Sequence, residues 1–198
     1  MKNTDDSTVL LRSRPGVFDR TGPTGFSAVK VLAIYEGVIR ECIHALKYKN
    51  NRGLGEVFSH WLADIVLLEG WMINQVLPVA LNPQRVQQRG YNQSAVIARP
   101  LAARLKKQYS PYGLSRIRNT PSQVGLSAEE RRQNVAGAFM AERDLVHGKN
   151  VLLVDDVMTT GATLDACSFA LLKAGASAVY CVTVAGFSKD VPDPYSSR

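Results

Sequence analysis

The chain of 198 residues holds only three cysteines, Cys42, Cys167 and Cys181, and no C-x-x-C pair. Three scattered thiols give no disulfide framework, and no zinc site can be assembled from them. A G-x-x-x-x-G-K-[ST] segment is also missing, which removes the P-loop class of nucleotide hydrolases. No stretch reaches the ~20 uninterrupted apolar residues that cross a bilayer, because Asp64, Glu69, Asn74 and Gln75 break the best candidate, so membrane insertion is not expected. Residues 1–14 lack the continuous apolar core of a signal peptide, and a cytoplasmic location follows as the expectation. Acidic residues are absent between Glu69 and Glu129, whereas Arg85, Arg89, Arg99, Arg104, Lys106, Lys107, Arg116 and Arg118 all fall there. The formal net charge of +7 is therefore concentrated in the middle of the chain.

What is present is, first, an ordinary globular composition. A hydrophobic fraction of 45% over this length suffices for one well-packed α/β domain with short extensions. Residues 1–28 mix charge, Gly, Pro and Thr without a period and read as a flexible leader, 29–187 as the folded domain and 188–198 as a disordered tail. Within the domain, apolar spacing predicts a helix bearing Val38, Ile39, Cys42, Ile43 and Leu46, closed by Lys47 and Tyr48. It predicts a second helix bearing Leu54, Val57, Phe58, Trp61, Leu62, Ile65 and Val66 before Gly70. A strand over Val76–Ala80, a long loop over Leu81–Tyr91 and a helix over Asn92–Lys107 follow. Ser127 to Glu130 has capping-box spacing and should start a short helix. A strand over Lys149–Asp155, a helix over Ala162–Ala174 with Gly175 past its end, and a strand over Ala178–Val184 complete the pattern. These elements predict a doubly wound parallel sheet with its ligand crevice at the carboxyl ends of the strands.

The segment that carries chemistry runs from Val151 to Thr163, VLLVDDVMTTGAT. An apolar strand ends in two carboxylates and passes through a small, hydroxyl-rich turn into a helix. Backbone N–H groups and hydroxyls of Thr159, Thr160, Gly161, Ala162 and Thr163 at a helix N-terminus favour a phosphate. Asp155 and Asp156, facing the same crevice, can accept hydrogen bonds from vicinal sugar hydroxyls. A ligand such as ribose 5-phosphate combines the two demands. A Walker B acid pair lacks its P-loop partner here, and too few residues follow Asp156 to complete a receiver-type domain. Cys167 and Cys181 fall at apolar positions and read as buried, inert thiols.

The run VDDVMTTGAT resembles the phosphoribosyl-pyrophosphate (PRPP) motif of type I phosphoribosyltransferases. The blocks Leu77–Leu81 and Arg89–Gln93, then Arg118–Gln123, Leu126–Ser127 and Arg131–Phe139, with Leu46–Tyr48 near the start, are similar to the ComF subfamily over roughly 35–185. The sequence departs from that pattern at Ala80, where a proline is common, and in having no cysteines for the zinc ribbon many members carry.

The resemblance implies a type I phosphoribosyltransferase fold. It implies PRPP and Mg²⁺ as ligands, with Asp155 and Asp156 acting on the metal through ribose hydroxyls or water, and Val157, Met158 and Thr159–Thr163 around the 5-phosphate. Pro78, Val79, Arg89 and Gly90 would lie on the pyrophosphate side. A nucleobase or other nitrogen acceptor is implied, as is a role in DNA uptake. Two classes stay open. One is a PRPP-dependent transferase. The other is a PRPP-regulated binding protein that holds single-stranded DNA, through a basic helix face of Arg99, Arg104, Lys106 and Lys107, or a competence helicase.

Overall fold

The structure, a computed structural model, describes residues 24–120 and 127–187. Its centre is a five-stranded parallel sheet. The strands are β1 (Ala28–Ile34), β2 (Gln75–Pro78), β3 (Gln108–Tyr109), β6 (Asn150–Met158) and β7 (Ala178–Gly186), in the spatial order β1-β7-β6-β2-β3. A small antiparallel pair, β4 (Leu114–Arg116) with β5 (Phe139–Ala141), stands apart from it. Helices α1 (Gly37–Tyr48), α2 (Gly53–Glu69) and α4 (Gln93–Arg104) supply side chains to one apolar cluster with Val76, Leu152, Val154, Val182 and Val184. Helix α7 (Ala162–Lys173) and the β4–β5 unit build the second cluster with Leu77, Val151, Leu153, Val179 and Cys181. Successive residues of β6 alternate between these clusters, as the two-residue repeat of a strand buried on both faces requires.

The chain leaves β2 toward β3 on one side, and leaves β6 through α7 toward β7 on the other. Neighbouring strands β2 and β6 therefore send their connections in opposite directions, and the gap between their carboxyl ends is the topological switch point of the sheet.

The expected elements form, with corrections. Leu81–Tyr91 is not one long loop: α3 (Pro83–Arg89) lies within it. The Asn82 side chain accepts from Gln84 N at 2.8 Å, Pro83 opens the helix, and Gly90 at φ 77° ends it. None of its residues is buried, so it has no apolar stripe for a periodicity argument to detect. Helix α4 stops at Arg104, and Lys106 beyond it has φ 54°. Strand β6 extends through Asp155 and Asp156 to Met158, further than expected, because β7 keeps pairing with it as far as Gly186. Val38, expected on the apolar face of α1, is 68% exposed.

The leader boundary also shifts. Phe26 is buried in the core, and Ser27 N donates to Val179 O at 2.7 Å, so 24–28 belong to the fold. The rest of the expected leader, the tail over 188–198, and Gln123 and Leu126 of the third sequence block lie outside the described residues. The capping box forms as expected on α5 (Ala128–Val135): Glu130 N donates to Ser127 Oγ, and Ser127 N to Glu130 Oε2 at 2.7 Å. Cys167 and Cys181 are fully buried, and burial pushes both thiols well up. No helix among the described residues is long and apolar enough to cross a membrane.

Candidate functional site

A cavity of about 700 Å³ opens at the switch point. Its floor is the end of β6, and its walls come from the end of β2, the α1 C-terminus, α3, the α4 N-terminus, β4 and the α7 N-terminus.

Asp155 and Asp156 both line it, Asp155 against the start of α4 and Asp156 against the end of α1. Their partners differ in kind. Asp155 Oδ1 accepts from Ser94 Oγ at 2.8 Å and from the Asp156 N–H at 2.9 Å, both neutral donors. Burial, followed by the neighbouring charge of Asp156, pushes its carboxyl up to about 7. Asp156 Oδ2 lies 2.6 Å from Lys47 Nζ. Burial works against its charge, yet the ammonium outweighs it and holds the Asp156 carboxyl below the usual range. Lys47 answers in kind: burial disfavours its charge, and Asp156 raises it above the ordinary lysine value. The contact matches charge with charge at a buried oxygen, and Gln93 adds a side-chain hydrogen bond to the same carboxylate.

After β6 the chain turns at Gly161, with φ 76°, straight into α7, whose N-terminus has no side-chain cap. Thr159, Gly161 and Thr163 line the cavity together with Val157 and Met158. Thr160 and Ala162 do not; Thr160 Oγ1 instead accepts from Ala162 N at 3.4 Å, inside the turn. Of the residues expected on the pyrophosphate side, Val79 and Arg89 line the cavity and Pro78 and Gly90 do not. Gly90 serves the α3 terminus, its positive φ meeting the helix stop. Arg89 is held by Gln93 Oε1 at 2.9 Å, with its guanidinium 5.0 Å from the centre of the Tyr48 ring.

Of the expected basic helix face, Arg99 and Arg104 are exposed on α4, Lys106 and Lys107 lie past its end, and Arg104 is clamped to α2 by Glu56 Oε1 at 2.5 Å and Ser59 Oγ at 3.1 Å. The structure also brings in side chains that the sequence reading did not assign to the site: Lys47, Ser94, Arg85, Arg116 and Arg131. The absence of acids around Arg85 and Arg116 was the available signal. Lys47 had only its place in the Leu46–Tyr48 block.

Magnesium takes an octahedral shell of oxygens, keeps several waters and uses one or two carboxylates with substrate phosphates. The cavity offers two carboxylates, and no cluster of three acidic, His or Cys ligands occurs among the described residues. Two carboxylates without a third ligand suit an ion that enters with a phosphate ligand and not a preassembled cage.

Residues 92–196 match the model of the phosphoribosyl transferase domain. Parallel sheet, switch-point crevice and strand–turn–helix cradle together are those of a type I phosphoribosyltransferase fold. Among relatives, the chain is 32% identical over 162 residues to the DNA utilization protein YhgH of Escherichia coli K12, covering 79% of this chain and 71% of the relative. It is 38% identical over 102 residues to competence protein F of Haemophilus influenzae, covering 50% of this chain and 44% of the relative. Against competence protein ComFC of Bacillus subtilis it is 29% identical over 148 residues, covering 73% and 58%. The chain thus belongs to the ComF/YhgH family of phosphoribosyl transferase-domain proteins. Among solved structures, glutamine PRPP amidotransferase from B. subtilis aligns at 24% identity with a TM-score of 0.44, over 71% of this chain and 26% of that one.

Proposed function

We propose that the cavity binds PRPP with Mg²⁺ and that the protein transfers the phosphoribosyl group to a nitrogen acceptor, in the DNA-related metabolism for which its relatives are named. The observation that carries this reading is the juxtaposition, at one switch point, of the α7 N-terminus, opened by Gly161, with two buried carboxylates. The helix end suits a phosphate. Asp155 and Asp156 line the same cavity and suit the ribose hydroxyls, with Ser94 holding Asp155 and Lys47 holding Asp156. Arg89, fixed by Gln93 and Tyr48, suits the pyrophosphate.

In the reaction a nitrogen–C1 bond forms while the C1–oxygen bond to pyrophosphate breaks. The electron pair leaves on pyrophosphate and the nitrogen's proton passes to solvent. Magnesium, when bound, neutralises charge on the leaving group. The chain's part is orientation: fixing the unreactive 5-phosphate at Thr159–Thr163 turns remote binding into alignment at C1.

Calorimetric titration of PRPP with Mg²⁺ into wild type and the Asp155→Asn/Asp156→Asn double variant tests the reading, with ribose 5-phosphate and pyrophosphate as separate ligands. Binding by wild type that the double variant loses supports it. A folded wild type that binds none of the three at millimolar concentration removes it, and leaves a PRPP-independent role with DNA or a competence helicase.

A further inference from the structure

Arg116, at the end of β4, is a half-buried cation that no carboxylate among the described residues pairs with. It lines the cavity, and its Nε is buried with no hydrogen-bond partner. One terminal nitrogen donates to Thr120 Oγ1, a neutral acceptor, and the guanidinium lies over the Phe139 ring at 5.2 Å. Burial is the first cause that works against its charge and the like charges of Arg85 and Arg118 add to it, while Cys167 and Asp155 act in its favour. A guanidinium that lines a cavity with only a neutral hydroxyl as acceptor keeps donors free for an anion that the described residues do not supply.

The donor does not need it. The α7 N-terminus and the Thr159–Thr163 turn suit the 5-phosphate, and Mg²⁺ with Arg89 suits the pyrophosphate. Arg89 stands on the α1 flank, over Tyr48, whereas Arg116 stands on the β4–β5 unit over Phe139, in the cluster that packs against α7.

We infer that Arg116 reads an anionic group on the acceptor, so that the acceptor is a nitrogen nucleophile bearing a carboxylate or phosphate and not a neutral base. This rests on the PRPP reading above. Its chemistry is that of a charge-assisted guanidinium–oxyanion contact, which a planar guanidinium can make through two parallel N–H···O bonds.

Matched pairs of compounds that differ only in the charged group provide the test: orotate against uracil, nicotinate against nicotinamide, and deoxyadenosine monophosphate against deoxyadenosine. Each is titrated into wild type, Arg116→Met and Arg116→Lys with Mg²⁺, ribose 5-phosphate and pyrophosphate filling both ends of the donor site. The expected result is that at least one charged member binds wild type about tenfold or more tightly than its neutral partner. Arg116→Met should abolish that ratio, Arg116→Lys should keep part of it, and ribose 5-phosphate and pyrophosphate affinities should hold in both. Equal binding of charged and neutral members by wild type, or no binding of any charged member, overturns the inference. So does a loss of ribose 5-phosphate or pyrophosphate affinity in Arg116→Met, which would give the arginine to the donor. A wild type that binds neither donor fragment nor PRPP fails the functional reading instead, and near-ultraviolet circular dichroism identifies a variant that has not folded.

Discussion

At the scale of single residues, the two adjacent carboxylates are set apart by what the fold places against them. Asp156 faces the Lys47 ammonium and Asp155 faces a hydroxyl and an amide, so they respond to pH in opposite directions. Asp156, depressed in the folded state, contributes stability that is present above its ordinary value of 3.8 and is lost as pH falls through its lower folded value. Asp155, raised from 3.8 to about 7, contributes stability that is full below 3.8 and is lost as pH rises to about 7. Asparagine reproduces the neutral form of Asp155, and its carbonyl can still accept from Ser94 and the Asp156 amide. Asp155→Asn should therefore be more stable than wild type at pH 8, with the gap closing toward pH 5; urea denaturation midpoints across that range check this. An unchanged gap would mean that Asp155 ionises at its ordinary value. Lys47→Met should do the reverse, leaving Asp156 buried and unmatched at a cost of about 3–5 kcal/mol near neutral pH. That cost should shrink in acid, where Asp156 takes up a proton. Equal denaturation midpoints for Lys47→Met and wild type at pH 7 would show the pair to be solvated.

At the scale of elements, the α2–α4 contact depends on one position without a side chain. A Cβ at Gly55 would stand 2.5 Å from both Val96 O and Val96 Cγ1, and 2.9 Å from the Val96 carbonyl carbon. Backbone cannot step aside as a flexible side chain can. Pro100 inside α4 has no N–H to donate to that same Val96 carbonyl, so α2 packs on a turn with an open acceptor. Gly55→Ala gains about 1 kcal/mol of helix propensity but should destabilise on balance by roughly 1–3 kcal/mol of overpacking. A guanidinium unfolding curve decides the sign, and a net gain would mean that the helices slide apart freely. The same elements mark how far the sequence was legible. Helices α1, α2 and α7 and strands β6 and β7 were readable because burial on one face or both imposes a period on the residues. Helix α3 was not, since with no buried residue its only signals are the Asn82 cap, Pro83 and Gly90. The end of α4 was misplaced for a related reason: Leu105 keeps the apolar spacing after the helix has stopped, and nothing in that spacing announces the positive φ of Lys106. In the site, Asp155, Asp156 and the turn after them were visible as one contiguous run. Lys47, Ser94 and Arg116 come from three other elements, and only the packing of α1, α4 and β4 around the switch point brings them there.

At the scale of the whole molecule, the cavity is a joint held by both ends of the described chain. Its lining begins at Tyr35, just past β1, and ends at Phe187, just past β7, and these two rings touch with centroids 5.1 Å apart. Between them the lining draws on both apolar clusters, through Lys47 of α1 on one side and Leu164 of α7 on the other. A ligand that fills it therefore bridges the two layers packed on opposite faces of the sheet. On the PRPP reading, binding should be coupled to global unfolding and not to the fraying of one loop. At a free PRPP concentration of 100 times Kd the gain is about 2.7 kcal/mol. For a domain of this size that corresponds to a rise in Tm of roughly 5–10 °C. Calorimetric melting with and without PRPP and Mg²⁺ measures the rise, and amide hydrogen exchange locates it. Protection should increase in α1 and α7 together, because both lend residues to one ligand. Protection confined to the turn over 159–163, with Tm unchanged, would show that PRPP touches only the phosphate cradle and that Lys47, Arg89 and the rest of the wall play no part in holding it.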